Sequence, residues 1–253
     1  MVHQAYELWF KLIIHELTQA KRFMDSQQPL QAHHFVSRVV EILRVLVQQI
    51  HLVETMRPID FLQFRDQLMP ASGFQSVQFR ELEFLAGLKD PRYARFFKNR
   101  PEMEGILADR IQQDDLRMSY CKMLKNMGFS LPLGALDAAE RDVAGVRAQT
   151  VEAIRPIYQN PEQHLPLYLL MESLISMDEH LNLWREHHVR VVARVIGWRP
   201  GTGGSSGVDY LRSTTTKRCF PELWEVRSRL QRADGSTPGD TSGEGPGCPM
   251  GHG

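Results

Sequence analysis

The feature that most constrains this chain is the run from Pro166 to Gly197, PLYLLMESLISMDEHLNLWREHHVRVVARVIG. Its apolar positions recur every three or four residues, with no proline or glycine between Leu167 and Ile196. A pattern of that period and length predicts one long helix with an apolar face. A helix that long needs partners along its flank to cover the face. Two earlier stretches have the same character. HQAYELWFKLIIHELTQAKRFM at 3–24 carries Tyr6, Phe10, Ile13, Ile14 and Leu17 at helical spacing, and QAHHFVSRVVEILRVLVQQIHLVETMR at 31–57 carries Phe35, Val39, Leu43, Leu46 and Ile50. Period-two alternation between Asn-Gly or Asp-Gly turns is missing, so strands are not expected. The expectation is an all-α bundle of long antiparallel helices.

The remaining segments are shorter. Pro58 marks a new start, with Asp60 as the expected N-cap of FLQFRDQL. Pro70-Ala71-Ser72-Gly73 breaks the chain before FQSVQFRELEFLAGL, which runs to Lys89-Asp90-Pro91. Residues 91–136 give short helices, and another helix is expected from Asp137 to about Tyr158. Two final helical pieces are VDYLRSTT and FPELWEVRSRL. From residue 233 the composition turns to Gly, Ser, Thr and Pro, which predicts a disordered tail over 233–253 behind a single folded domain over 1–232. Cys248, beside Pro249, and His252 in that tail carry donors for a metal or haem, but a tail of this composition is more often inert.

Several chemistries are excluded. Thirty basic and thirty acidic residues leave no net charge, so there is no basic footprint for nucleic acid. No apolar run is long enough to span a membrane, and no signal peptide opens the sequence. Cys121, Cys219 and Cys248 are odd in number and far apart, which argues against a disulfide framework. A soluble cytoplasmic protein is the expectation. Glu-x-x-His pairs of di-iron bundles are absent from the histidine helix: Glu172, Glu179 and Glu186 are followed three residues on by Ile175, Asn182 and Val189. HExxH and Cys-x-x-Cys are missing as well, and no GxSxG sits on a strand–helix turn.

What chemistry remains sits on few residues. His188 shares a face with Leu181, Trp184, Val191, Val192 and Val195, an apolar stripe, whereas His187 lies among Leu183, Trp184 and Val191 but also Arg190 and Arg194. On pattern alone His188 is either a core histidine bonded to a carbonyl or a metal or haem ligand. His3 lies on the face of Tyr6, one turn earlier. Phe61 and Arg65 are four apart, so the guanidinium either lies along the surface or forms a fork for a carboxylate. GTGGSSG at 201–207 lacks the lysine of a phosphate-binding loop and follows no strand; it is a linker or a loop that closes over a ligand with the Thr202 hydroxyl. His33 and His34 have no acidic or thiol partner one turn away, and His51 has only Glu54, so these are read as surface or structural residues. The set suits a haem and a small amphoteric substrate.

Three blocks then carry a resemblance: HQAYELWFK at 3–11, DFLQFRDQLMPASGFQSVQFRELEFLAG at 60–87, and WREHHVRVVARVIG, GTGGSSGVDYL and FPELW in order over 184–224. Together they resemble the tryptophan 2,3-dioxygenase family over most of residues 3–230. The resemblance implies a haem pocket inside the bundle, haem b with Fe2+ as the active form, and O2 as co-substrate. It further implies L-tryptophan opened to N-formyl-L-kynurenine, the first step of catabolism by the kynurenine route, in a cytoplasmic homotetramer. By motif, His188 is similar to the axial haem ligand and His3 to the distal catalytic histidine that meets the indole N–H. Arg65 is similar to the carboxylate-binding residue, Phe61 to an aromatic wall with Leu68 and Ser72 nearby, and Thr202 to the loop residue at the ammonium and carboxylate end. Members of the family carry a further segment ahead of HQAYELWFK, including an aromatic and a piece that reaches a neighbouring subunit. Here Met1-Val2 alone precede His3, so either the start is assigned too late or the protein is truncated; if the segment is absent, part of the pocket wall and of the oligomer contact is expected to be missing. The rival readings are a histidine-ligated haem monooxygenase of the same superfamily acting on tyrosine or a modified tryptophan, a truncated and inactive haem-binding protein, and a plain structural bundle.

Overall fold

A computed structural model describes residues 2–68, 75–201 and 206–230, apart from the side chains of Val2 and Leu68. Ser72, Thr202 and the tail from 233 lie outside the described residues, as does the side chain of Leu68. Among the described residues the regular structure is all helical. The chain opens with α1 (Val2–Asp25) and α2 (Pro29–Glu54), followed by α3 (Pro58–Arg65) with a 3-10 turn over Asp66–Leu68. Next come α4 (Val77–Leu85), a 3-10 segment over Pro91–Phe97, α5 (Pro101–Gln112) and α6 (Leu116–Asn126). The second half holds α7 (Ala144–Gln159), α8 (Leu165–Ile196), α9 (Val208–Thr214) and α10 (Pro221–Glu225).

The boundaries follow local chemistry. A proline occupies the first turn of α2, α3, α5 and α10, where the missing N–H is no loss. Ser76 caps α4 by accepting from Phe79 N at 3.1 Å, and Asp115 caps α6 through Met118 N at 2.9 Å. Two expectations shift. Helix α3 begins at Pro58, so Asp60 falls in the first turn and accepts from the Arg57 guanidinium at 2.7 and 2.9 Å instead of capping. The helix expected from Asp137 begins at Ala144, because Asp137 uses its carboxylate on Ala139 N at 2.7 Å and holds a turn there.

The core lies between α1, α2, α6 and α8, with Ile13, Leu17, Leu46, Leu116, Tyr120 and Leu174 fully buried. The tight turn between α1 and α2 passes through Gln27 at φ 58° and makes those two helices antiparallel; Tyr6 Oη donates to Leu46 O at 3.3 Å across the pair. Helix α8 packs along α2 with its early turns near His33 and its late turns near Ile50, so these two run in the same direction. Short loops force antiparallel neighbours; the long excursion through α3–α7 frees α8 from that rule.

Buried polar side chains fix the elements around α8. Asp178 has no exposed surface and accepts from Cys219 N (2.9 Å), Phe220 N (3.3 Å) and Trp224 Nε1 (2.9 Å). The segment that follows the glycine-rich loop is thereby pinned back onto α8. On another flank, Glu83 of α4 stands between Arg80 (2.6 Å) and Arg185 of α8 (2.8 Å). No helix among the described residues is long and apolar enough to cross a membrane.

Candidate functional site

Trp184 organises the site. Its indole meets Tyr6 and Phe10 of α1 edge-on (6.1 and 6.2 Å between centroids), Phe79 of α4 (5.1 Å) and, one turn on, the ring of His188 (5.4 Å). Two elements, α1 and α4, therefore converge on the stretch of α8 that carries the histidine pair. The spacing of Tyr6, Phe10, Trp184 and His188 gave the faces; only packing shows that the faces meet.

His188 stands beside Trp184 on α8. It retains some accessible surface, yet burial pushes its pKa down to about 4, and the nearby charge of His3 acts in the same direction. At neutral pH the ring is an uncharged imidazole, the form that ligates a metal. His3, exposed on the first turn of α1, comes close enough to be felt there although 185 residues away in sequence. The start of α1 is fixed by the Tyr6 bond and by Gln78 Nε2 donating to Glu7 Oε2 at 2.6 Å.

Phe61 and Arg65 share a face of α3 as their spacing predicts. Phe61 packs with Ile50, Val191 and Val195, the apolar cluster that continues the His188 stripe, and meets Phe64 edge-on at 5.2 Å. Arg65 ends the helix. One of its terminal nitrogens donates to Pro200 O at 2.6 Å, while its Nε is buried with no hydrogen-bond partner. The guanidinium is thus tied to the root of the 201–207 loop and keeps a donor unused. A buried unpaired donor is costly and calls for an acceptor. At the other root of that loop, Gly207 adopts φ +67°, and a Cβ there would stand 2.6 Å from Arg199 O. The loop is pinched at its base by a glycine that no other residue replaces without strain.

His187 points to the wetter side, as its neighbours predict, and its ring stands 5.0 Å from that of His51. His51 in turn holds Glu54 at 3.0 Å. His51 and Glu54 form too small a set when the sequence is read one helix at a time; α8 adds a third member.

Comparison with known proteins places the sequence in a family. The family model described as tryptophan 2,3-dioxygenase matches residues 1–130 and 136–230. Proteins named tryptophan 2,3-dioxygenase from Myxococcus xanthus, a Nocardioides strain and Caulobacter vibrioides are 39%, 42% and 40% identical to it. The matches cover 90%, 90% and 91% of this chain and 78%, 83% and 88% of those proteins. With the three long helices, the α3 face and the histidine-bearing end of α8 inside the matched residues, the chain belongs to the tryptophan 2,3-dioxygenase family.

Proposed function

We propose that this chain is a haem-dependent dioxygenase that opens the indole ring of L-tryptophan with O2 to give N-formyl-L-kynurenine. The observation that carries the reading is the largely enclosed, uncharged imidazole of His188 beside Trp184, with His3 of α1 close enough to act on it electrostatically. A neutral imidazole on a rigid helix, walled by Trp184 and the Val191 and Val195 side chains, fits a haem b iron by donor chemistry. Bound there in the Fe2+ state, the haem would supply O2 activation without the strong electron push of a thiolate ligand.

The other residues handle the substrate. Arg65 offers a planar cation with a buried Nε still to be satisfied, matched to an amino-acid carboxylate. Thr202, carried over from the family motif, would hold the ammonium and carboxylate end from the loop rooted beside Arg65. Phe61 supplies an apolar wall for the indole, and Leu68 and Ser72 belong to the same block. His3 accepts the indole N–H and so sets the ring's orientation. Fixing both ends of the substrate positions its reacting carbons and rejects analogues that lack a charge. In this reading the assembly is a cytoplasmic homotetramer, as in the family resemblance; exposed Leu8, Leu52 and Ile59 are apolar surface available to a subunit contact.

The test is turnover of L-tryptophan by the haem-loaded, reduced protein under heavy-oxygen O2. Both labelled atoms should enter a single product. Incorporation of one atom would replace this reading with a monooxygenase, and no turnover by protein with a normal haem spectrum would overturn it.

A further inference from the structure

Consecutive residues on a helix point about 100° apart, so His187 leaves α8 on a different side from His188 and meets the last turns of α2. There it joins His51 and Glu54. The donor atoms of the three side chains lie within 4.8 Å of one another. His51 Nδ1 and Glu54 Oε2 are 3.0 Å apart, and the two imidazoles stand nearly perpendicular at 83°. Nδ1 of His187 is shielded from solvent and has no hydrogen-bond partner. His51 is exposed, so the cluster opens to solvent.

We propose that His51, Glu54 and His187 form a binding site for one divalent cation of the zinc class, clamping the end of α2 to α8. Two imidazoles and a carboxylate are a known zinc donor set that leaves a fourth position for water. Nitrogen donors disfavour Mg2+ and Ca2+, which take oxygen. Zinc–ligand bonds of ~2.0–2.2 Å place neighbouring donors ~3.3 Å apart. The His51–Glu54 pair, at 3.0 Å, is within a few tenths of an ångström of that separation, and side-chain rotation brings in the rest. Both contributing helices are long and packed against each other, so the donors are held on rigid elements. The opposing charge is Arg194, close enough to act on Glu54. It penalises cations held by charge alone and leaves the advantage to those that bond imidazole. The site is independent of what His188 holds and goes beyond the dioxygenase reading.

The test uses the haem-loaded full chain, free of any histidine tag, in equilibrium dialysis against Zn2+ with metal analysis and thermal denaturation. One zinc per chain and a raised melting temperature are expected, with Mg2+ giving neither. His51→Ala and Glu54→Gln should each weaken zinc binding at least ~100-fold, the upper figure seen for losing merely an outer partner of a ligand. Their zinc-free melting temperatures should match that of the unmodified chain, since both residues sit at the surface end of the cluster. A Cys248→Ser, His252→Ala variant of the tail should bind as the unmodified chain does. Zinc retained in both His51→Ala and Glu54→Gln, zinc lost in the tail variant, or no zinc bound at micromolar concentration would each overturn the site.

Discussion

At the scale of single residues, the histidine pair separates two roles by one step along a helix. His188 lies against Trp184, and His187 meets His51. His188→Ala should abolish haem retention, whereas His187→Ala should leave most of it, measured as haem per chain after desalting. Equal retention in the two would remove the ligand assignment. Arg65 is the second residue whose role follows from its immediate partners. Loss of a charge-assisted pair in a desolvated pocket costs ~2–5 kcal/mol, so Arg65→Ala should raise the KM for tryptophan more than about tenfold with haem content intact. Lysine should rescue little, because an ammonium lacks the planar fork that reaches both Pro200 O and a carboxylate. An unchanged KM would contradict the fork.

At the scale of elements, the loop between α8 and α9 is defined by its base more than by its composition. Gly207 holds a left-handed backbone beside Arg199 O, and the neighbouring root is tied to Arg65 through Pro200. Gly207→Ala should therefore splay the loop. It incurs ~1–2 kcal/mol of backbone strain before the clash is counted. We expect a raised KM with normal haem content, read from steady-state kinetics beside haem absorbance. Gly145→Ala is the matched control. That position lies in the first turn of α7 with open space around it, so the change should be neutral or stabilise by ~0.5–1 kcal/mol. A Gly207→Ala protein that behaves like the Gly145→Ala control would show that the pinch is immaterial.

At the scale of the whole molecule, one buried carboxylate joins the two ends of the site. Asp178, on α8 ahead of the histidines, holds the Cys219–Trp224 segment through three donors. Asp178→Ala leaves two backbone N–H groups and an indole N–H without an acceptor, and each unsatisfied buried donor costs ~1–3 kcal/mol. A loss of at least ~3 kcal/mol should lower the melting temperature by roughly 6–12 °C for a domain of this size. Asp178→Asn keeps one acceptor oxygen and should fall between the two. If both variants melted with the unmodified chain, the pin would carry no weight in the fold.

The sequence by itself determined the all-α class, the three long helices and the faces on which His3, Phe61, Arg65 and His188 stand. Each of those is a matter of helical period, and period acts over a few residues. The family blocks in their order were equally legible. What only the tertiary structure decided is which faces meet. The direction of α8 beside α2 was not in the periodicity, because a long intervening excursion permits either sense. The turn that Asp137 builds ahead of α7 was hidden because its side chain competes with the helix for a backbone N–H. The surroundings of His188 depend on Tyr6, Phe10 and Phe79 arriving at Trp184 from α1 and α4. The cluster of His51, Glu54 and His187 draws its third donor from a helix more than a hundred residues away. A one-dimensional pattern records the side each residue presents; the partner on that side is chosen by packing, where distant segments compete to bury the same apolar stripe.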